Sequence, residues 1–535
     1  FELSDRSIDS ATAHAVKSHL GRDFNLAGAD VTDQVGVSDA NWLHSNGSGK
    51  IANVKASASE FNNLNKDVAD SANAFELSDR SIDSATAHAV KSHLGRDFNL
   101  AGADVTDQVG VSDALWAHDN GAGHFSGGIK GQASELKALQ EAIVNKSAHF
   151  VLADNYIDAQ VAKGLQKYLG NNFDFNHANI TNEVSVEDAL WDQAHDVGNF
   201  SGGIKGYASE LQALDRSVIE KGGRFILVDS DIDSQIARNL AAHLGRDFDF
   251  NGANITNQTS VQDTLWAHDN GAGKFNGGIR GQASELKALQ EAIIDKSSGF
   301  ELSDRSIDSA TAHAVKSHLG RDFNLAGADV TDQVGVSDAN WLHSNGSGKI
   351  ANVKASASEF NNLNKDVADS ANAFELSDRS IDSATAHAVK SHLGRDFNLA
   401  GADVTDQVGV SDANWLHSNG SGKIANVKAS ASEFNNLNKD VADSVNGFLL
   451  SDINIDIVAA RSLNTRYGDK FNFNATNISG TANINDLTWT QTHGVKSFDS
   501  ISDSAENILS YSNNSGLKSA SSVHIDSDSN GLLQK

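Results

Sequence analysis

The chain has 535 residues, with 70 acidic against 42 basic side chains, a formal charge of −28, and no cysteine, methionine or proline. That balance argues against nucleic acid and anionic lipid as partners, whose phosphates must be met by cations. Disulfides are excluded, and no run of apolar residues approaches the roughly 20 needed to insert in a membrane as a spanning helix.

Seven tryptophans, Trp42, Trp116, Trp191, Trp266, Trp341, Trp415 and Trp489, recur every 74 or 75 residues. They mark seven tandem repeats: 1–74, 75–149, 150–224, 225–299, 300–373, 374–447 and a divergent terminal repeat, 448–535, whose end is rich in Ser, Asn and Asp. The text of 1–74 returns unchanged at 300–373. A fixed period of this kind points to units that stack on their neighbours. The chain opens on the first residue of a repeat, without Met, so it is expected to be a piece of a longer protein.

Three strand-then-helix segments are predicted in each repeat. The first is FELSD, with Phe1 and Leu3 alternating with polar residues, followed by SIDSATAHAVKSHLG. There Ile8, Thr12, Val16 and Leu20 fall four apart on one helical face, and Gly21 is a natural C-cap. The repeat at Phe150 gives the stripe as Ile157, Val161, Leu165 and Leu169. The second segment is DFNLAGADVTD, with Phe24 and Leu26 alternating, and then a short helix around Trp42. In the third repeat that helix opens with Ser185 and Asp188, spaced like a capping box. The third segment is IANVKA, then a helix with a Ser57/Glu60 capping box and an apolar stripe of Phe61, Leu64 and Val68.

Strands alternating with helices predict an α/β fold with a mainly parallel sheet. Scarce linkers between repeats favour a continuous solenoid-like rod. Seven compact α+β beads in a row are the alternative, and both remain open at this stage. The side chains expected in the core of the first repeat are Phe1, Leu3, Ile8, Val16, Leu20, Phe24, Trp42, Phe61 and Leu64.

Several segments invite a chemical reading. Asn46–Lys50 reads NGSGK, but His44 stands where a phosphate loop needs its first Gly, and Ile51 where it needs Ser or Thr. A Gly-rich turn accounts for it. His14, His19 and His44 recur, yet the third repeat has Lys163 and Tyr168 in the first two places, so exposed helical histidines are expected rather than a zinc site. Asp5 and Asp9, with Asp229, Asp231 and Asp233 in the fourth repeat, sit where carboxylates cap helices; weak calcium binding is the other reading. Asp526, Asp528 and Asn530, followed by Gly531, match the first half of a calcium loop, D-x-D-x-N-G, whose twelfth position falls beyond Lys535. The repeated Trp is expected as a core anchor; an exposed one would favour sugar stacking. No nucleophile elbow, HExxH or cysteine nucleophile occurs, so no enzyme is expected.

The texts F-x-L-S-D-x-x-I-D and G-I-K-G-Q-A-S-E-L-K-A-L resemble repeats of very large, acidic, cysteine-free surface proteins of bacteria, including cyanobacteria. The resemblance implies a secreted, non-catalytic stalk, adhesin or fibre scaffold at the cell surface, often calcium-dependent, whose main partner is itself. The alternative is an array presenting weak sites for surface glycans or calcium, summed by avidity.

Overall fold

The computed structural model describes residues 1–526. It is mixed α/β, with many short parallel strands and short helices in a repeating pattern and no closed barrel. The chain divides into two compact units, one of Phe1–Asn257 with Leu265–Lys274, the other of Gln258–Thr264 with Phe275 onward.

Local chemistry sets each element. In the second repeat Asp83 opens the helix Ser84–Leu94 by accepting from the Thr86 N–H at 2.8 Å, and Gly95 closes it at φ 70°. That left-handed conformation carries no Cβ penalty in glycine. Ala87, Val90 and Leu94 face the core. The Thr12 position of the expected stripe is instead exposed, the adjacent Ala13 is buried, and Ile8 lies in the strand Ser7–Ile8. The Thr hydroxyl is used at the cap, where it bonds the same Asp. The third repeat shows the same shift, with Ala162 rather than Val161 beside Leu165 and Leu169. The Ser57/Glu60 capping box forms as expected, and the strand Ile51–Ala56 covers IANVKA. The second strand, Asp30–Val35, starts later than Phe24 and Leu26.

Among the described residues every strand pair is parallel, and partners lie 19 to 23 residues apart in sequence, the length of one strand-helix coil. In the first unit Val109 registers with Ile129, Ile129 with Phe150, and Phe150 with Phe173. In the second, Val330 registers with Ile350, and Val353 with Phe374. One inward position is thus occupied by apolar side chains coil after coil, and Phe125, Phe150, Phe173, Phe200, Phe275, Phe360 and Phe434 are fully buried.

The same registry joins consecutive repeats. Phe61, from the first, meets Phe75 of the second edge-on at 5.9 Å and lies 6.3 Å from Phe98. Phe360 stands likewise against Phe374 and Phe397. Phe1 is 72% exposed and Leu3, Val16 and Leu20 are half-buried, against their expected place in the core, whereas Phe75, Leu77, Val90 and Leu94 at the matching positions of the second repeat are buried.

Carboxylates tie coil to coil. Asp107 accepts from the Ser84 N–H and hydroxyl at the start of the preceding helix. Asp79 accepts from Ala58 N–H, as Asp154 does from Ala133, Asp229 from Ala208 and Asp304 from Ala283. Asp104 and Asp329 accept from the backbone of the following turn, at His124 and Lys349. Each of these bonds satisfies a backbone donor that would otherwise be orphaned. These carboxylates are therefore engaged by the chain's own backbone.

Candidate functional site

The most distinctive side-chain cluster surrounds the repeated tryptophan. All seven indoles are half-buried, not core. The neighbouring position, Leu43 in the first repeat, takes the core place. A helix nine residues long turns only a narrow stripe inward, and Val37, Ala40 and Leu43 fill it.

In the second repeat Trp116 donates its indole N–H to Asp97 at 2.6 Å, Lys91 holds the same carboxylate at 2.8 Å, and the Lys91 ammonium lies 4.9 Å from the indole ring centre. His88 stacks on the indole at 5.2 Å and reaches Asp113 at 3.0 Å. Lys91 and then Trp116 hold the Asp97 carboxyl below its ordinary range. The group recurs as Trp42 with Asp23, Lys17, His14 and Asp39. In the second unit it recurs around Trp341 and Trp415. Asp23 is lowered by Trp42 first and Lys17 second. The indole is engaged by its own chain on its N–H and over its rings.

The histidines belong to this scaffold. The position of His14 is always basic: His88, Lys163, Arg238, His313, His387 and Arg461. Lys163 pairs with Asp188 at 2.7 Å, and Arg461 grips Asp486 through two nitrogens at 2.8 and 2.5 Å. Arg238 lies 4.0 Å from the Trp266 ring centre. The His19 position serves as a donor across a junction. His93 bonds the Leu64 carbonyl at 2.8 Å, Tyr168 donates to Leu139, and Arg466 donates to Leu437 at 2.6 Å. His44 lies 3.4 Å from the Ser71 hydroxyl. Sequence reading missed this pairing. Its signal was a shared capacity, cationic or donating, beneath changing residue names.

The remaining candidates resolve similarly. In NGSGK, a Cβ on Gly49 would stand 2.3 Å from the Gly28 carbonyl, and the Lys50 N–H donates to Asp30. The glycine is there for coil-to-coil contact. Asp9 caps Thr12, Asp229 holds Ala208, Asp231 accepts from Asn254, and Asp233 caps Gln235. Asp526 follows the strand Ala520–Ile525; its N–H donates to the Asp503 carbonyl at 3.1 Å and it accepts from the Ser502 hydroxyl at 2.5 Å. Asp528 and Asn530 lie outside the described residues. Among the described residues no group of three or more His, Asp or Glu side chains is placed to hold a metal ion, and no helix is long and apolar enough to cross a membrane.

Comparison with models of known protein families and with curated proteins gives no match.

Proposed function

We propose that the chain is a structural repeat segment, a solenoid of stacked coils without catalytic chemistry, serving as the stalk or scaffold of a secreted bacterial surface or fibre protein. The bacterial and extracellular parts rest on the resemblance of its repeat texts. The structural part is supported by the contact of Phe61 with Phe75 and Phe98, and of Phe360 with Phe374 and Phe397, which join one repeat directly to the next at these two junctions. Stacking supplies what a unit of about 75 residues lacks, since small domains bury little surface alone. The Trp clusters act as clasps between the first and second helices of a repeat, and the carboxylate ties fix the registry of successive coils.

Hydrogen exchange on the full chain tests the stacking. Phe360→Ala, at the contact with Phe374 and Phe397, should lower protection in residues 374–397 as well as around 360. A loss confined to the repeat that carries the substitution would mean that each repeat stands alone, as a bead. Antibody raised against the chain should label the surface of intact source cells; label confined to permeabilised cells would remove the surface role.

A further inference from the structure

The helix Val186–Ala194 carries Asp192 where the matching helices carry Leu43, Ala117, Ala267, Leu342, Leu416 and Thr490. All of these are core positions, and Asp192 is only 4% exposed. Among the described residues nothing donates a hydrogen bond to its carboxyl group. Beside it the Gln193 side-chain oxygen is buried without a partner. Asp486, the other buried aspartate of these helices, is held by Arg461 and by the Asn483 backbone N–H. Asp192 has no such compensation.

The charged surroundings do not neutralise it. Asp188 lies one turn earlier on the same helix, and Glu187 adjoins it. Lys163, from the helix Ala159–Leu169, is committed to Asp188, and Lys167 lies in the last turn of that helix. Of the helix Arg216–Lys221 packed nearby, Arg216 and Glu220 pair with each other and Lys221 donates to the Val197 carbonyl. The strands beneath, Val184–Ser185 and Ile204–Gly206, contribute only Lys205 as a charged group. His195 and Asp196 follow the helix, with His195 stacked on Trp191.

We propose that Asp192 is a proton-operated latch in the third repeat: neutral, it lets the helix Val186–Ala194 close on the strands beneath it, and ionised, it releases that coil. Burial first, and Asp188 second, push its carboxyl up to about 7 from 3.8, while Lys163 opposes them weakly. A buried charge without a partner is strongly disfavoured. Opening returns the group to water and to its ordinary value, so opening becomes easier as pH rises between the two values. From pH 5 to pH 8 the local opening equilibrium should rise on the order of a hundredfold. The array would then hold one coil that tightens in mild acid and loosens in alkali, while the coils with Leu or Ala at this position stay indifferent.

Hydrogen exchange of the full chain at pH 5 and pH 8, corrected for intrinsic rates, reads this directly. The peptide 186–194 should lose protection by tenfold or more at pH 8 relative to the peptide 111–119. Asp192→Leu, which places here the side chain of Leu43, should abolish that response, and so should the isosteric Asp192→Asn. The latch is refuted if both peptides respond alike in the native chain, or if Asp192→Asn retains the native pH response.

Discussion

Asp97 sits nineteen residues before Trp116 in sequence and accepts its indole N–H at 2.6 Å. The same pair recurs as Asp23 with Trp42, Asp247 with Trp266, Asp322 with Trp341 and Asp396 with Trp415. It is missing where the repeats diverge. Asn172 and Lys470 occupy the Asp position of the third and seventh repeats, each ending a short 3-10 turn. There His195 stacks on Trp191 at 3.9 Å, and His493 lies edge-on to Trp489. In those two repeats the ring partner comes from the C-cap of the Trp helix itself.

Asp97→Asn should weaken the clasp without unfolding the repeat. The acceptor remains but its charge goes, and the site is largely solvated, so the cost should be about 0.5–1 kcal/mol. Trp116 fluorescence and local exchange in 111–119 report it. An effect confined to another repeat would contradict the clasp.

Phe61→Ala should remove a fully buried ring from the junction of the first two repeats. Cavities of this size cost about 3–5 kcal/mol. Because Phe61 touches Phe75 and Phe98, protection should fall in residues 75–98 as well as around 61. Loss restricted to the first repeat would show that the junction transmits no stability.

The glycines separate by what lies opposite them. A Cβ on Gly348 would meet the Gly327 carbonyl at 2.3 Å and an Asp329 carboxyl oxygen at 2.4 Å, whereas nothing lies within 4 Å of one on Gly299. Gly348→Ala should cost about 1–3 kcal/mol through forced backbone movement. Gly299→Ala should be close to neutral, as Ala74 and Ala373 at the matching position suggest. Denaturant melts of the two variants provide the comparison.

Arg461→Gln should strand the Asp486 side chain, which is 5% exposed. Breaking a buried pair leaves an uncompensated charge; with Arg461 itself half-exposed the expected cost is about 2 kcal/mol. His88→Gln, at a solvated pair with both side chains 44% exposed, should change stability by less than about 0.5 kcal/mol at pH 8. Equal effects would remove burial as the deciding term.

Acid should destabilise the array through its caps. The Thr86 backbone N–H, then its side chain, hold Asp83 below the ordinary carboxylate value, and Asp308 and Asp382 are lowered by the Thr311 and Thr385 side chains first and their backbone N–H groups second. A lowered folded value gives stability that is full above the unfolded value of 3.8 and is lost as pH falls through the folded one. The melting temperature should therefore hold down to about pH 4.5 and drop below pH 4. Asp192, whose value is raised, works in the opposite direction and favours the third repeat on acidification. A decline that begins well above pH 5 would show that the capping carboxylates are not the titrating element.

Part of this molecule was readable from local text. The Ser57/Glu60 box, the Gly21 cap, the strand Ile51–Ala56 and the buried Phe61 and Leu64 depend on residues a few positions apart, and each formed as the spacing predicts. The Trp42 environment was misread as core because an aromatic once per repeat is ordinarily an anchor, and the competing claim of Leu43 to the inner stripe shows only once the helix is oriented. Asp192 carried a signal, an acid where other repeats have Leu, Ala or Thr, but its meaning required knowing that the position faces inward.

The sequence by itself determined the period, the order of strand and helix, and the caps, because these follow from backbone preferences and neighbours within one turn. Only the tertiary structure decided what the carboxylates do. Asp79, Asp104 and Asp107 are separated from the donors they satisfy by about one coil of chain, a distance that parallel registry closes and that no local pattern encodes.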